Sequence, residues 1–134
     1  MKSAIINARI IDTKNNIDEV GGILINSKGL IEACGKQVTK DNVGNNKIYD
    51  CKNKLVIPGI IDGRVFVGEP GFEYKENYRT LSKAAISGGV TSVVTMPNTN
   101  PIIDNVSTFD FIQRRARDKS LIKIHSLASL TKNI

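Results

Sequence analysis

From Leu55 onward the chain alternates short β-branched runs with stretches of helical period, and that alternation limits it to few folds. Ile57 to Val67 reads as a strand with the loop after it. Residues 76–87 place Tyr78, Leu81 and Ala85 at helical spacing, and Gly88-Gly89 supplies a stop. Val90 to Met96 is again apolar and β-branched. Residues 97–105 carry Pro97 and Pro101 and read as a loop. Ser107 to Lys119 predicts a second helix, with Ser107 and Asp110 as a capping box and Phe109, Ile112 and Ala116 on one apolar face. Leu121 to Leu127 closes the series as a strand. Strand, helix, strand, helix, strand is the order of right-handed βαβ crossovers in a parallel sheet. The strands are nearly continuous apolar runs, which predicts that both faces are buried.

The segment before this has a different period. Residues 2–12 suit a strand. Gly21-Gly22 leads into a second strand, Ile23 to Asn26. Ser27-Lys28-Gly29 is a turn, and Leu30 to Cys34 is the return strand of a hairpin. The stretch after Gly35 to Asn46 is polar and loop-like. Ile48 to Cys51 and Lys54 to Ile57 are two further short strands around Lys52-Asn53. The expected organisation is a small antiparallel β-sandwich unit over residues 1–53, then an α/β segment over 54–134.

Composition excludes several classes of function. The 134 residues are 40% hydrophobic, enough for a core. No apolar run is long enough to span a bilayer, and the N-terminus lacks the apolar core of a secretory signal, so a cytoplasmic location is expected. The net charge of +6 is spread along the chain. Its only cluster, Arg114, Arg115, Arg117 and Lys119, reads as the solvated face of a helix without interleaved aromatics, which argues against nucleic-acid binding. Cys34 and Cys51 have neither metal nor redox spacing and are expected as buried free thiols.

Three ordered motifs carry a family resemblance. They are Pro58-Gly59-Ile60-Ile61-Asp62 with its continuation to Gly68, then Glu69-Pro70-Gly71-Phe72-Glu73-Tyr74-Lys75-Glu76, then Met96-Pro97-Asn98-Thr99-Asn100-Pro101 with Asp104-Asn105. His125 to Lys132 is a weaker fourth. On these the chain resembles the N-terminal portion of dihydroorotase, of the cyclic amidohydrolase superfamily. The resemblance implies a (β/α)₈ barrel preceded by a small β unit. A whole barrel takes about 250 residues. Residues 54–134 supply roughly three strands and two helices, so the expectation is the N-terminal part of a barrel, completed by further chain or by another polypeptide.

In that family the first strand reads Pro-Gly-Xaa-Xaa-Asp-Xaa-His-Xaa-His, and its two histidines hold zinc. Later strands add a carboxylated lysine, more histidines and an aspartate base, and the metal-activated water attacks a cyclic amide. An arginine after the second histidine and the asparagine of Met-Pro-Asn hold the substrate carboxylate. Here Arg64 and Phe66 stand at the two histidine positions and Gly68 at the arginine position. Guanidinium stays protonated and offers no lone pair, and a phenyl ring has no donor atom. No catalytic or metal-ligating residue, and no zinc, is therefore expected in this chain.

Asn98 survives as a vestigial substrate contact, for which a loop-structuring role is the favoured reading. Asp62 is read either as an ion-pair partner of Arg64 or as a carboxylate accepting from backbone amides. His125, the only histidine, is expected as a hydrogen-bonded strand residue. The resemblance implies a catalytically inactive dihydroorotase-like protein of pyrimidine biosynthesis. It would be an oligomer, acting as a structural or regulatory partner of aspartate carbamoyltransferase. Two alternatives stay open: the N-terminal fragment of an active zinc-dependent cyclic amidohydrolase, and a truncated product without independent role.

Overall fold

The computed structural model describes residues 2–44 and 47–132. It divides into two compact units, Met1–Pro58 and Gly59–Ile134.

The first unit is one five-stranded sheet built from β1 (Ser3–Asp12), β2 (Ile17–Ile25), β3 (Ile31–Gly35), β4 (Lys47–Asp50) and β5 (Leu55–Val56). Along β1 the buried residues are Ala4, Ile6, Ala8 and Ile10, the period of a strand with one covered face. β1 with β2 and β2 with β3 are antiparallel, as expected of hairpins. The expectation of a wholly antiparallel sandwich is corrected on the other side of β1, where β4 and β5 both pair in parallel. The reason lies in the connection. The long stretch after β3 carries the chain back to the start of β1, so Lys47 enters opposite Ser3 and runs in the same direction. That stretch is polar in sequence, yet it delivers Val38 and Val43 into a core cluster with Ala4.

β4 and β5 follow one another along the same edge. Between them Lys52 and Asn53 take positive φ, as does Asn7 on β1, and Asn53 N–H donates to the Asn7 carbonyl at 2.7 Å. β2 begins at Ile17 rather than after Gly21-Gly22, and the two glycines lie inside it. A Cβ on Gly21 would sit 2.4 Å from the Gly35 carbonyl carbon, and one on Gly22 would sit 2.5 Å from the Ile5 carbonyl oxygen. The glycines therefore mark close backbone approach rather than a strand start. Because β5 pairs with β1, the division between units falls after Pro58, not at 53/54 as the sequence pattern predicts. Cys34 and Cys51 are free and half-buried, and burial pushes the Cys34 thiol up.

The second unit is strand, helix, strand, helix, strand: β6 (Ile60–Val65), α1 (Tyr78–Ser87), β7 (Val90–Thr95), α2 (Val106–Lys119) and β8 (Lys123–Ser126). The sheet order is β6-β7-β8 and both pairings are parallel, as the alternation requires. The helices bring Tyr78, Ile112 and Ala116 together with Val67 and Ile103, and Leu81, Phe109 and Ile124 pack against this cluster. Among the described residues, the buried cluster lies on this face of the sheet. The expectation of strands buried on both faces is corrected at β6, where Ile60 is 47% and Ile61 69% exposed. Among the described residues no helix is long and apolar enough to cross a membrane.

The helix starts also differ in detail. α1 is capped by Asn77, whose side chain accepts from the N–H groups of Arg79 and Thr80. α2 begins one residue earlier than predicted. Asn105, in extended conformation, accepts from Thr108 N–H at 2.9 Å, so Ser107 lies inside the helix and is not the cap. Asn105→Ala is expected to destabilise the second unit by about 1 kcal/mol. Ser107→Ala should stay within about 0.5 kcal/mol. Urea melts of the two variants check this, and equal losses would refute the assignment.

Candidate functional site

In parallel α/β sheets the strand ends and the loops that leave them carry function, because neighbouring loops converge there. In the second unit these are the segments after β6, β7 and β8. Paired residues of parallel strands point to the same face, and here the two faces separate cleanly. Val93, Thr95, Ile124 and Ser126 lie on the helix side, where Thr95 Oγ1 donates to Ser126 Oγ at 3.1 Å. The register sets the alternate residues Ile61, Ser92 and Lys123 in one row and Val94 beside His125 in the next. An irregularity between Asp62 and Val65 inserts one extra residue into β6 at Gly63-Arg64, a common device for re-aiming a side chain beside a site.

Arg64 is exposed, and its backbone N–H donates to Asp62 Oδ1 at 3.0 Å. No ion pair joins Asp62 to Arg64 among the described residues, so the backbone-bonding reading of Asp62 is the one the structure adopts. Phe66 packs against Phe72 with ring centroids 6.3 Å apart, and Phe72 meets Tyr74 edge-on at 6.5 Å. Lys75 Nζ stands 5.2 Å from the centroid of the Phe72 ring and 5.7 Å from that of Tyr74. Gly68 is buried at φ +78, its carbonyl accepting from Phe72 N–H at 2.7 Å. A Cβ there would lie 2.9 Å from the Phe72 carbonyl oxygen, so the turn itself selects glycine.

Asn98 is exposed and makes no side-chain hydrogen bond among the described residues. The loop-structuring role expected of it belongs to Thr99, 4% exposed, whose Oγ1 donates to the Pro101 carbonyl at 2.8 Å. Asn100 N–H donates to the Pro70 carbonyl at 3.0 Å, tying this loop to the one after β6. Ser129 N–H donates to the Ile103 carbonyl at 2.7 Å and brings in the third loop. His125 is exposed, and its imidazole makes no hydrogen bond to a described residue, contrary to expectation. Its place on β8 turns it to the open face, away from the polar groups of the interior.

The residues present do not fit a zinc centre. Arg64 and Phe66 offer no ligand atom where the strand ends, and among the described residues no three His, Cys, Asp or Glu side chains come together.

Beneath the loops lies a polar group that the sequence pattern did not reveal. Glu69 is 3% exposed. One carboxylate oxygen accepts from Tyr78 N–H at 3.0 Å, at the start of α1, and the other accepts from Arg115 Nε on α2. Arg115, counted with a solvated basic face from sequence, is thus a partner of a buried carboxylate, which holds its guanidinium further up in pKa. A Glu between Val67 and a helix start was the available signal, since buried carboxylates need partners. The Tyr78 ring is fully buried and its hydroxyl has no hydrogen-bond partner among the described residues. Ser126 is near enough to draw its pKa down slightly but not in hydrogen-bond geometry. Burial, and then the Glu69 charge, push the phenol from 10.0 up to about 12.

Residues 53–133 match the family model described as dihydro-orotase-like. The chain is 38% identical over 131 residues to a dihydroorotase of Ehrlichia canis, covering 96% of this chain and 29% of that protein. It is 39% identical over 132 residues to a dihydroorotase of Ehrlichia chaffeensis, covering 97% and 29%. It thus spans less than a third of the length of these relatives. Its fold is similar to that of the L-hydantoinase (dihydropyrimidinase) from Arthrobacter aurescens, with a TM-score of 0.85 at 19% identity, covering 98% of this chain and 28% of that one. The likeness shows the fold: the α/β segment and the β unit before it are those of an amidohydrolase barrel protein.

The Tyr78 environment sets a pH dependence. The folded-state pKa lies above the unfolded value, so the unfolded chain loses its phenolic proton first. Stability present below about pH 10 is therefore lost as pH rises towards 12. Tyr78→Phe removes this component. At neutral pH it should change stability by less than about 1 kcal/mol, because the hydroxyl it deletes has no partner. Thermal melts of both proteins from pH 9 to 12 check it, and parallel curves would overturn the assignment.

Proposed function

Because this chain belongs to the dihydro-orotase-like family, we propose that it is a catalytically silent dihydroorotase-like protein, acting as a structural or regulatory partner of aspartate carbamoyltransferase in the cytoplasm. The observation that carries this reading is the end of β6. Arg64 and Phe66 occupy the positions where the family's motif has histidines, and Gly68 occupies that of the arginine which would clamp a carboxylate. A guanidinium also repels a cation, so the position opposes a metal rather than merely failing to bind one. The surrounding frame, Pro58, Gly59, Glu69, Pro70 and Gly71, is kept, and Glu69 secures the helices that present it.

A second reading is a segment of an active zinc-dependent cyclic amidohydrolase that takes its ligands from elsewhere. It is favoured by the naming of the relatives as dihydroorotases and by the span of 29% of their length.

Zinc content by elemental analysis and dihydroorotate hydrolysis by the purified protein separate the two. The silent reading expects less than one zinc in ten chains and no turnover above background. Stoichiometric zinc with turnover sinks it. Arg64→His with Phe66→His is expected to raise zinc affinity without restoring turnover. Adding Gly68→Arg should lower the melting temperature further, because its Cβ meets the Phe72 carbonyl at a positive φ.

A further inference from the structure

Beside α1 and α2 lies a charged cleft that the reading of the β6 strand end does not use. Its volume is about 240 Å³, and Glu69, Glu73, Asn77, Arg79, Arg115 and Lys119 line it. All six come from the loop after β6 and from the two helices of the second unit. Three cations meet there, and they are separate from the solvated stripe of α2, since Arg114 and Arg117 line another surface with Asp110 and Gln113. Arg115 is anchored through Nε on the buried carboxylate of Glu69, which orients its planar fork and leaves the two terminal nitrogens for a ligand. Arg79 and Lys119 make no side-chain hydrogen bond or ion pair among the described residues, although Lys119 is half-buried. An ammonium in that position has lost hydration without a compensating bond.

The other polar groups of the cleft are engaged. Glu69 is met by Arg115 and by Tyr78 N–H. Each oxygen of Glu73 accepts from Gly71 N–H at 3.0 Å and keeps lone-pair capacity for a further donor. The first N–H groups of α1 are taken by Glu69 and by the Asn77 cap, so side chains rather than the helix end supply the free donors.

We propose that this cleft binds a small phosphate monoester that also carries hydroxyl groups. The dianion sits among Arg79, Arg115 and Lys119, where charge-assisted bonds and a guanidinium fork suit phosphate geometry. Glu73 accepts from a hydroxyl of the ligand body and rejects a second anionic group there. A nucleic-acid backbone, with its repeated phosphates, is disfavoured for that reason. Pockets for drug-sized ligands run to roughly 300–1,000 Å³, so the smaller cleft limits the body to a few carbons. Arg64, Phe66 and Gly68 take no part, and the inference therefore goes beyond the silent-scaffold reading without resting on it.

Calorimetric titration of the 134-residue chain with glycerol 3-phosphate, methyl phosphate and inorganic phosphate at constant ionic strength tests this. Glycerol 3-phosphate is expected to bind with a Kd below about 1 mM, and the two phosphates without hydroxyl-bearing carbon about fivefold more weakly. Arg79→Ala and Lys119→Ala should each weaken binding about tenfold. Arg117→Ala, on the same helix but outside the cleft, should change it less than about twofold. Glu73→Ala should bring glycerol 3-phosphate and methyl phosphate to within about twofold of each other. Melting curves of each variant exclude unfolding as the cause. Binding indifferent to both Arg79→Ala and Lys119→Ala, or no saturation by any of the three ligands up to about 10 mM, overturns the site. Equal affinity of the unaltered chain for all three overturns the hydroxyl-bearing ligand in favour of an unselective anion cleft. None of these readouts involves zinc or turnover, so failure here is distinct from failure of the silent reading.

Discussion

The buried carboxylate of Glu69 is the interaction around which the second unit is arranged. A carboxylate out of water must be met by donors, and among the described residues two groups meet this one, the first N–H of α1 and the Arg115 guanidinium on α2. The first contact also places negative charge at the positive end of a helix. The second joins two helices that the chain separates by a whole strand. Through Glu69 the loop leaving β6 is therefore tied to the start of α1 and to the middle of α2. Tyr78 follows from the same arrangement. Its amide is taken by Glu69, its ring fills the cluster with Val67, Ile103 and Ile112, and its hydroxyl is left in an apolar interior with no partner.

The strand end above this interior is held by local contacts. Arg64, Phe66 and Gly68 each fit their places for local reasons. Arg64 sits at an irregularity that turns it outward, Phe66 finds Phe72, and Gly68 makes a turn at positive φ that an added Cβ would strain. None of these contacts calls on a metal. The loops are held by backbone bonds, Asn100 to Pro70 and Ser129 to Ile103, which are indifferent to the side chains at the sheet face. Chemistry and frame are thus separable in this fold, because separate atoms carry them.

Much of the architecture was legible in residue order. Alternation of period marked every strand and helix of the second unit, and βαβ handedness made its sheet parallel. Helix caps and strand partners were less legible. Ser107 and Asp110 form a plausible cap by spacing, yet Asn105 takes the role because it alone precedes the helix in extended conformation. β4 and β5 look like further members of a meander, but pairing direction depends on where a long connection returns the chain, and local residues do not encode that. Asn98 was the polar residue that motif reading favoured. Thr99 beside it is the one that is buried and bonded.

By itself the sequence determined the family, the order of the elements, and the absence of ligand atoms at positions 64 and 66, because each of these follows from residue identity or short-range spacing. Only the tertiary structure decided that Arg115 answers Glu69 across 46 residues. It also decided that Asp62 turns to a backbone amide rather than to Arg64. Those outcomes depend on which distant groups folding brings within a few ångströms, and the energy of a buried charge or an exposed face is set by those neighbours rather than by the residue alone.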